Sequence, residues 1–199
     1  MSKIICIGRQ FGSGGHEVGE KLATELGYSF YDRNLIVLAA EKSGLSQGML
    51  SAADEKAVNP WLYAAMSQTG QTNFGTNYSI NDTLFTLQSE IIKNIALTEN
   101  AVIVGRCSDY ILRDSNADVL TVFVYAPLEI RKKRIMERLS LTEHQALNMI
   151  KSVDKQRKSY YEFYTDKKWA SHSSFHLTIN SDKFGIDGSA KLIKGVLDI

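Results

Sequence analysis

Cysteine and long hydrophobic runs are both scarce in this sequence of 199 residues. The two cysteines, Cys6 and Cys107, belong to no Cys/His spacing typical of a metal site, and we expect both to be reduced thiols. No apolar run approaches the roughly 18 residues that a membrane helix needs. The N-terminus enters a predicted strand without the apolar region of a signal peptide. These absences predict a cytoplasmic protein with no membrane partner and no metal site built from protein ligands.

An excess of charge of either sign is also missing. The chain has 23 Lys and Arg residues against 22 Asp and Glu residues, a formal net charge of +1. Because dedicated nucleic-acid binders are usually clearly basic, we predict no nucleic-acid partner and expect any basic region to be local. With 44% hydrophobic residues, a chain of this length normally folds as one domain with a sizeable core.

A glycine-rich segment near the N-terminus lacks the lysine that such segments often carry. The apolar run 4–7 predicts a strand, and the apolar spacing over 17–26 predicts a helix. Backbone N–H groups between a strand and a helix can converge on an anion, aided by the helix dipole. Where the motif G-x-x-x-x-G-K-[ST] has its lysine, this chain has Gly15. The predicted phosphate-binding residues are Gly12, Ser13, Gly14, Gly15, His16 and Glu17. The alternative is a tight turn without a ligand, but four glycines in the eight residues 12–19 exceed that need.

Further apolar segments alternate with helical patterns along the chain. Strands are predicted at 28–31, 101–105, 120–125 and 175–179, and helices are predicted at 34–42, 83–97 and 186–197. Continuous apolar strands separated by helices are typical of a parallel sheet covered on both faces. The sequence therefore predicts an α/β fold with about five strands. Residues 46–66 are predicted to be helical in pieces, and the polar segment 67–82 is predicted to be a long loop.

Two adjacent helices are predicted after the fourth strand. Pro127 is expected in the first turn of a helix that runs to about Leu139. Thr142 and Gln145 have capping-box spacing and predict a second helix that extends towards Tyr164. In the first of these helices three arginines share one face, either as ligand-binding groups or as a solvated surface; they are Arg131, Arg134 and Arg138.

Charged residues follow the second and third predicted strands. Asp32 and Arg33 come after one strand, and Arg106 comes after the other. Ligands of open α/β sheets bind outside the carboxyl ends of the strands, so these side chains should lie near the glycine-rich loop. The alternatives are a capped turn at 32–33 and a structural ion pair for Arg106.

Six segments in this order resemble the cytidylate kinase-like family of P-loop nucleoside monophosphate kinases. They are GRQFGSGGHEVG at 8–19, FYDRNLI at 30–36, VIVGRCSDYIL at 102–112, VFVYAPLEIRKKRIMER at 122–138, VDKQRKSYYEFYT at 153–165 and LTINSD at 177–182. The resemblance implies a three-layer αβα P-loop kinase fold with a five-stranded parallel sheet. It also implies one domain over 1–199, with a helical acceptor-binding insertion at about 33–98 and lid helices at about 127–170.

The activity implied by the resemblance is transfer of the ATP γ-phosphate to a nucleoside monophosphate, cytidylate-like, with Mg²⁺. Positioning and charge neutralisation dominate such chemistry. The implied acceptor-binding residues are Asp32, Arg33, Arg106 and Asp109, and Arg134 is a further candidate from its helix face. By the same resemblance Arg157 and Asp154 belong to a catalytic lid segment, and Arg106 binds the acceptor phosphate. Asn180 and Ser181 lie in the loop that is expected to run beside the base of the phosphate donor.

Three positions depart from the family pattern. Gly15 replaces the lysine, His16-Glu17 replaces the Mg²⁺-binding hydroxyl, and Cys107 replaces an aspartate. We predict that Arg9, at the mouth of the loop, supplies the missing cation, with Arg106 as second choice. The alternatives are an inactive nucleotide-binding or regulatory module, a kinase for another small acceptor, and a purely structural α/β domain. No sequence feature indicates the oligomeric state.

Overall fold

A computed structural model of the chain describes residues 1–44 and 80–197. The strands are β1 (Lys3–Arg9), β2 (Ser29–Tyr31), β3 (Ala101–Val104), β4 (Asp118–Tyr125) and β5 (Leu177–Asn180). The helices are α1 (Gly15–Leu26), α2 (Asn34–Ser43), α3 (Ile80–Thr98), α4 (Ser108–Ile111), α5 (Leu128–Leu139), α6 (Glu143–Thr165) and α7 (Ser181–Val196). The predicted helical pieces at 46–66 and most of the predicted loop at 67–82 lie outside the described residues; residues 80–82 belong to α3 instead.

The five strands form one parallel sheet in the order β2-β3-β1-β4-β5, which confirms the predicted fold class. β1 is central, and Ile7 pairs with Val104 on one side and Val122 on the other. All four apolar residues at 4–7 are at most 1% exposed. A continuous apolar run suits such a strand because helices cover both of its faces.

Alternate residues of β1 pack into two separate cores. Ile5 and Ile7 contact a cluster that includes Leu22 of α1 and Ile193 of α7. Ile4 and Cys6 face the opposite layer, which includes residues of α2 and α3. Burial raises the pKa of the Cys6 thiol to about 12, which keeps it protonated and unreactive. The result is the predicted three-layer arrangement.

Helices α5 and α6 begin largely as predicted. The hydroxyl oxygen of Thr142 accepts from the Gln145 amide at 3.4 Å, and the Thr142 amide donates to Gln145 Oε1 at 2.9 Å. This confirms the capping box. Pro127 is the N-cap of α5 and lies just outside its first turn.

Helix α7 begins at Ser181, five residues before the predicted start at 186. The prediction missed this first turn because of two local features. The Asn180 side-chain oxygen accepts from the Asp182 amide at 3.0 Å and caps the helix. Gly185 then has non-helical backbone angles, φ 66° and ψ −177°, and kinks it. None of the described helices is long and apolar enough to cross a membrane.

Candidate functional site

A cavity of about 530 Å³ lies at the carboxyl edge of β1, β2 and β3. It brings together most of the residues predicted from the sequence: Arg9, Gly12, Gly14, Gly15, His16, Glu17, Asp32, Arg33, Arg106 and Arg157. Gln10 and Gln156, which the sequence reasoning did not assign to the site, also line it. So does Arg138, for which that reasoning left open ligand binding or a solvated surface. The expected meeting of the glycine-rich loop with the ends of the second and third strands is therefore observed.

The glycine-rich loop leads from β1 into the first turn of α1. Gly12 and Gly14 have φ values of 78° and 80°, in the left-handed region that favours glycine. A Cβ on Gly14 would lie 2.4 Å from Ile186 Cδ1, the end of a flexible side chain that would have to move, so the backbone conformation is the main requirement for this glycine. The first N–H groups of a helix have no intrahelical acceptor. Because Gly15, His16 and Glu17 begin α1 and line the cavity, this edge suits an anionic ligand.

Asp32 holds three basic groups at the mouth of the cavity. Its Oδ1 lies 3.3 Å from Arg106 Nη1 and 3.5 Å from Arg9 Nη2, and its Oδ2 lies 3.4 Å from His16 Nε2. Arg9 is 8% exposed and Arg106 is 2% exposed. The carboxylate thus brings two guanidinium groups, from β1 and from the end of β3, together with the His16 imidazole of α1 beside the glycine-rich loop. Without this anion the two guanidinium groups would repel each other.

The turn after β3 holds Arg106 in an unusual backbone conformation. Gly105, Arg106 and Cys107 have successive φ values of 81°, 57° and 54°. Left-handed backbone costs a non-glycine residue roughly 1–2 kcal/mol. The turn is tied to the sheet because the Gly105 amide donates to the Ile7 carbonyl at 3.0 Å. Strain of this kind concentrates at ligand-binding sites.

Asp154 lies beneath the loop and contacts its backbone. Its Oδ1 accepts from the Phe11 amide at 2.8 Å, and its Oδ2 pairs with Arg131 Nη1 at 2.6 Å. Arg131 Nη1 also donates to the Phe11 carbonyl at 3.2 Å, and its Nε donates to the Ala126 carbonyl at 3.1 Å. The pair therefore holds both polar groups of the Phe11 backbone. We interpret Asp154 as a positioning residue for the loop, a role that its spacing from Arg157 did not suggest.

Arg134 occupies the far side of the loop, between α5 and α7. Its Nη1 donates to the Ser13 carbonyl at 3.0 Å and to Ser181 Oγ at 3.1 Å. Ser181 Oγ also donates to the Ser13 carbonyl. Arg134, Ser13, Asn180 and Ser181 are absent from the lining of the cavity as the described residues form it. Arg134 and Ser181 contact the loop's backbone here, and Asn180 caps α7.

Two further arginines flank Phe11 at the outer rim. Arg157 Nη1 donates to the Arg9 carbonyl at 3.4 Å, and its Cζ lies 5.7 Å from the Phe11 ring centroid. Arg138 Nη1 lies 3.0 Å from Glu17 Oε1, and its Cζ lies 5.6 Å from the same ring. Both distances are within the range of cation–π attraction. The sequence signal that could place Arg138 at the site was its helix face, which it shares with Arg131 and Arg134.

A second cavity of about 30 Å³ adjoins the first beyond Arg106, and Cys107, Asp109 and Tyr161 are among its lining residues. Tyr161 donates its hydroxyl to Asp109 Oδ2 at 2.7 Å. Burial raises the pKa of the Asp109 carboxyl, and burial together with this carboxylate raises the pKa of Tyr161. Asp109 lines this second cavity and is absent from the described lining of the main one.

The pKa of Asp109 predicts a pH dependence of stability. A carboxyl whose pKa is higher in the native state than its usual 3.8 binds protons more tightly when folded. Stability conferred by this group therefore falls as pH rises from about 4 through the raised pKa. We expect Asp109→Asn to flatten this fall and to raise the melting temperature at pH 7, in thermal unfolding without ligand across a pH series. Asp114→Asn, at an exposed carboxylate, is the matched control; equal pH slopes in wild type and Asp109→Asn would contradict the prediction.

The fit to a nucleotide phosphate and to Mg²⁺ can be tested on these groups. The loop glycines, the start of α1 and the guanidinium groups are anion-binding elements. The Asp32 and Glu17 carboxylates line the same cavity, and Mg²⁺ is commonly bound by one or two carboxylates together with substrate phosphates. Within the described residues, no group of three or more His, Cys, Asp or Glu side chains could hold a metal ion. The site thus fits a metal ion that arrives with its phosphates.

Sequence comparisons place this geometry among known proteins. A profile of the cytidylate kinase-like family matches residues 4–183. A cytidylate kinase of Methanobrevibacter smithii is 25% identical over 196 residues, covering 98% of this chain and 99% of that protein. A cytidylate kinase of Methanoregula boonei is 27% identical over 105 residues, and this match covers 51% of the chain and 54% of that relative's length.

Solved structures agree with the sequence comparisons. An uncharacterized protein from Eubacterium ventriosum superimposes with a TM-score of 0.73 and 29% identity, covering 99% of both chains. A shikimate kinase from Bacteroides thetaiotaomicron gives a TM-score of 0.54 at 15% identity over 98% of both chains, a likeness of fold alone. Since the family profile spans most of the sequence and the sheet carries the expected glycine-rich loop, the chain belongs to the cytidylate kinase-like family.

Proposed function

We propose that this protein is an ATP-dependent nucleotide kinase that transfers the γ-phosphate to a nucleoside monophosphate, with a cytidylate-like acceptor. The observation that carries the proposal is that the glycine-rich loop, Arg9, Arg106 and Asp32 line one shared cavity. Family membership and the cytidylate kinase relatives support the same reaction class.

The strand order suggests a division of the cavity into donor and acceptor sides. The loop after the central strand β1 would bind the ATP phosphates. Asp32, Arg33 and Arg106 follow β2 and β3 on one side of β1, and they would bind the acceptor. Arg9 lies at the end of β1, between the two sides. It would neutralise charge on the transferring phosphate, and Arg157 would approach from α6.

The cofactor in this proposal is Mg²⁺ bound with ATP. Asp32 and Glu17 are the carboxylates placed to contact it, and the ion would supply neutralisation of phosphate charge. Asp154 and Arg131 would keep the Phe11 backbone in place while phosphates bind. In the same proposal, 33–98 is the acceptor-binding insertion and 127–170 contains the lid helices, within one domain over 1–199.

One observation favours a second candidate, an inactive nucleotide-binding or regulatory module. Gly15 and His16 occupy the positions at which P-loop kinases carry a lysine and a hydroxyl. If the arginines do not compensate, the site would bind nucleotide without transferring phosphate. A kinase for a different small acceptor is the third candidate.

Ligand-dependent thermal unfolding followed by a coupled ADP-release assay separates these candidates. ATP or ADP with Mg²⁺ should stabilise the protein by about 2.7 kcal/mol at 100 times the dissociation constant. The acceptor panel contains CMP, dCMP, UMP and small hydroxylated compounds. We expect turnover with a cytidylate-type acceptor. Stabilisation without turnover on any acceptor would favour the second candidate, turnover on a non-nucleotide would establish the third, and no stabilisation would contradict all three.

A further inference from the structure

The glycine-rich loop shows a paired replacement of two residues. When Gly14 is placed on the second glycine of G-x-x-x-x-G-K-[ST], Arg9 falls on the first glycine and Gly15 on the lysine. This chain therefore has a long cationic side chain, Arg9, where the motif has glycine, and glycine, Gly15, where the motif has a lysine. The two replacements are six positions apart in the sequence.

Positions 9 and 15 are in direct contact in the fold. A Cβ built on Gly15 would lie 2.5 Å from Arg9 Cβ and 3.3 Å from Arg9 Cγ. It would also lie 3.3 Å from Val124 Cβ, on the strand that pairs with β1. Real Cβ atoms essentially never lie within 3.0 Å of such a neighbour, so one of the two groups would have to shift. A side chain at position 15 and the present path of the Arg9 stem are therefore mutually exclusive.

The head group of Arg9 reaches the cavity from this path. The residue is 8% exposed, lines the cavity, and has its Nη2 3.5 Å from Asp32 Oδ1. Its Cα is fixed in the sheet, because Arg9 pairs with Val124 in the β1–β4 ladder. A guanidinium can bind a phosphate through two parallel N–H groups, which a lysine ammonium cannot do.

We propose that the loop cation has moved from position 15 to position 9, and that Gly15 is the positioning residue that makes room for it. This inference rests on the proposed function, because it assigns Arg9 to the phosphates of the bound nucleotide. Gly15 contributes through its missing side chain, which admits the Arg9 stem beside the start of α1.

A cycle of Gly15→Ala, Arg9→Gly and the double variant tests the exchange. In wild type, Gly15→Ala should weaken ADP binding about tenfold or more and lower the melting temperature, because the methyl group displaces the Arg9 stem. In the Arg9→Gly background both Arg9 contacts are gone and only the 3.3 Å approach to Val124 Cβ remains, so the same methyl group should change affinity by no more than about twofold and melting by no more than about 2 °C. Gly195→Ala is the matched control, since nothing lies within 4 Å of a Cβ built there. ADP affinity is measured by calorimetry and melting by circular dichroism.

The conservative and rescuing variants complete the experiment. Arg9→Lys should retain more ADP affinity than Arg9→Gly, and Arg9→Gly with Gly15→Lys should bind ADP more tightly than Arg9→Gly alone. Independent, additive effects of positions 9 and 15 on melting would overturn the steric part of the proposal. Coupled melting without coupled ADP affinity would overturn the cation assignment. If wild type binds no nucleotide, the proposed function fails and the cation assignment with it, while the melting cycle still tests the contact.

Discussion

Replacing Arg9 with alanine is expected to lower phosphoryl-transfer turnover by about 10³-fold or more while the protein remains folded. Arg9 places a guanidinium between the glycine-rich loop and the residues that follow β2. A cation that stabilises charge in the transition state of phosphoryl transfer contributes about 10³–10⁵ in rate. Because Gly15 provides no ammonium group, no other side chain of the loop itself supplies this charge.

The fold should tolerate this change because Asp32 keeps two partners. Arg106 Nη1 remains 3.3 Å from Asp32 Oδ1, and His16 Nε2 remains 3.4 Å from Oδ2. The carboxylate is therefore not left as a buried unpaired charge, and we expect a loss of only about 1–2 kcal/mol in unfolding free energy. This corresponds to a melting-temperature decrease of roughly 2–8 °C.

Steady-state ADP release and thermal unfolding measure the two effects of Arg9→Ala separately. Arg113→Ala is the matched control, because Arg113 pairs with Asp114 at 3.1 Å outside the cavity and should leave turnover unchanged. Turnover of Arg9→Ala within a few-fold of wild type would show that Arg9 is not the missing cation. A melting-temperature decrease well beyond the expected range of roughly 2–8 °C, large enough to unfold the protein under assay conditions, would indicate a structural role instead.

Asp154→Ala is expected to destabilise the protein by about 3–5 kcal/mol, the usual effect of breaking a buried ion pair. The substitution removes the acceptor of the Phe11 amide and the partner of Arg131 in one step. The Asp154 and Arg131 side chains are 16% and 9% exposed, so water cannot fully replace the lost contacts. For a chain of this size the melting temperature should fall by roughly 6–20 °C.

Glu137→Ala is the matched control for Asp154→Ala. Glu137 lies on α5 with Arg131, but its carboxylate is exposed and lies 4.0 Å from Lys133. Such surface pairs contribute at most about 1 kcal/mol. Asp154→Asn retains an acceptor for the Phe11 amide. Its melting temperature in differential scanning calorimetry should therefore lie between those of Asp154→Ala and Glu137→Ala. Equal melting temperatures for Asp154→Ala and wild type would contradict a role for this pair in holding the loop.

The fold was largely predictable because its signals are local. The run 4–7, the helical spacing after the loop and the capping box at Thr142 each need only a short window of sequence. Helix α4 escaped prediction because its four residues are too few to show a period. The first turn of α7 escaped because Gly185 separates it from the regular pattern that follows.

The location of the site was predictable from the sequence, but the contacts of its individual side chains were less so. Strand ends meet at one edge of a parallel sheet, which was enough to bring Arg9, Asp32 and Arg106 together. The three arginines of α5 all contact this region, yet their different positions along the helix bring them to different residues. Arg131 binds Phe11, Arg134 binds Ser13 and Arg138 pairs with Glu17. Spacing alone does not carry that information.

The left-handed turn at 105–107 has a thermodynamic consequence for recognition. Its conformation is imposed during folding, with Arg106 already packed at 2% exposure before any phosphate arrives. Ligand binding therefore immobilises little at this point, and ordering a long side chain would otherwise cost about 0.5–1.5 kcal/mol. If Arg106 binds the acceptor phosphate as proposed, it would be a preorganised group, and anion binding to it should show a correspondingly small entropic penalty.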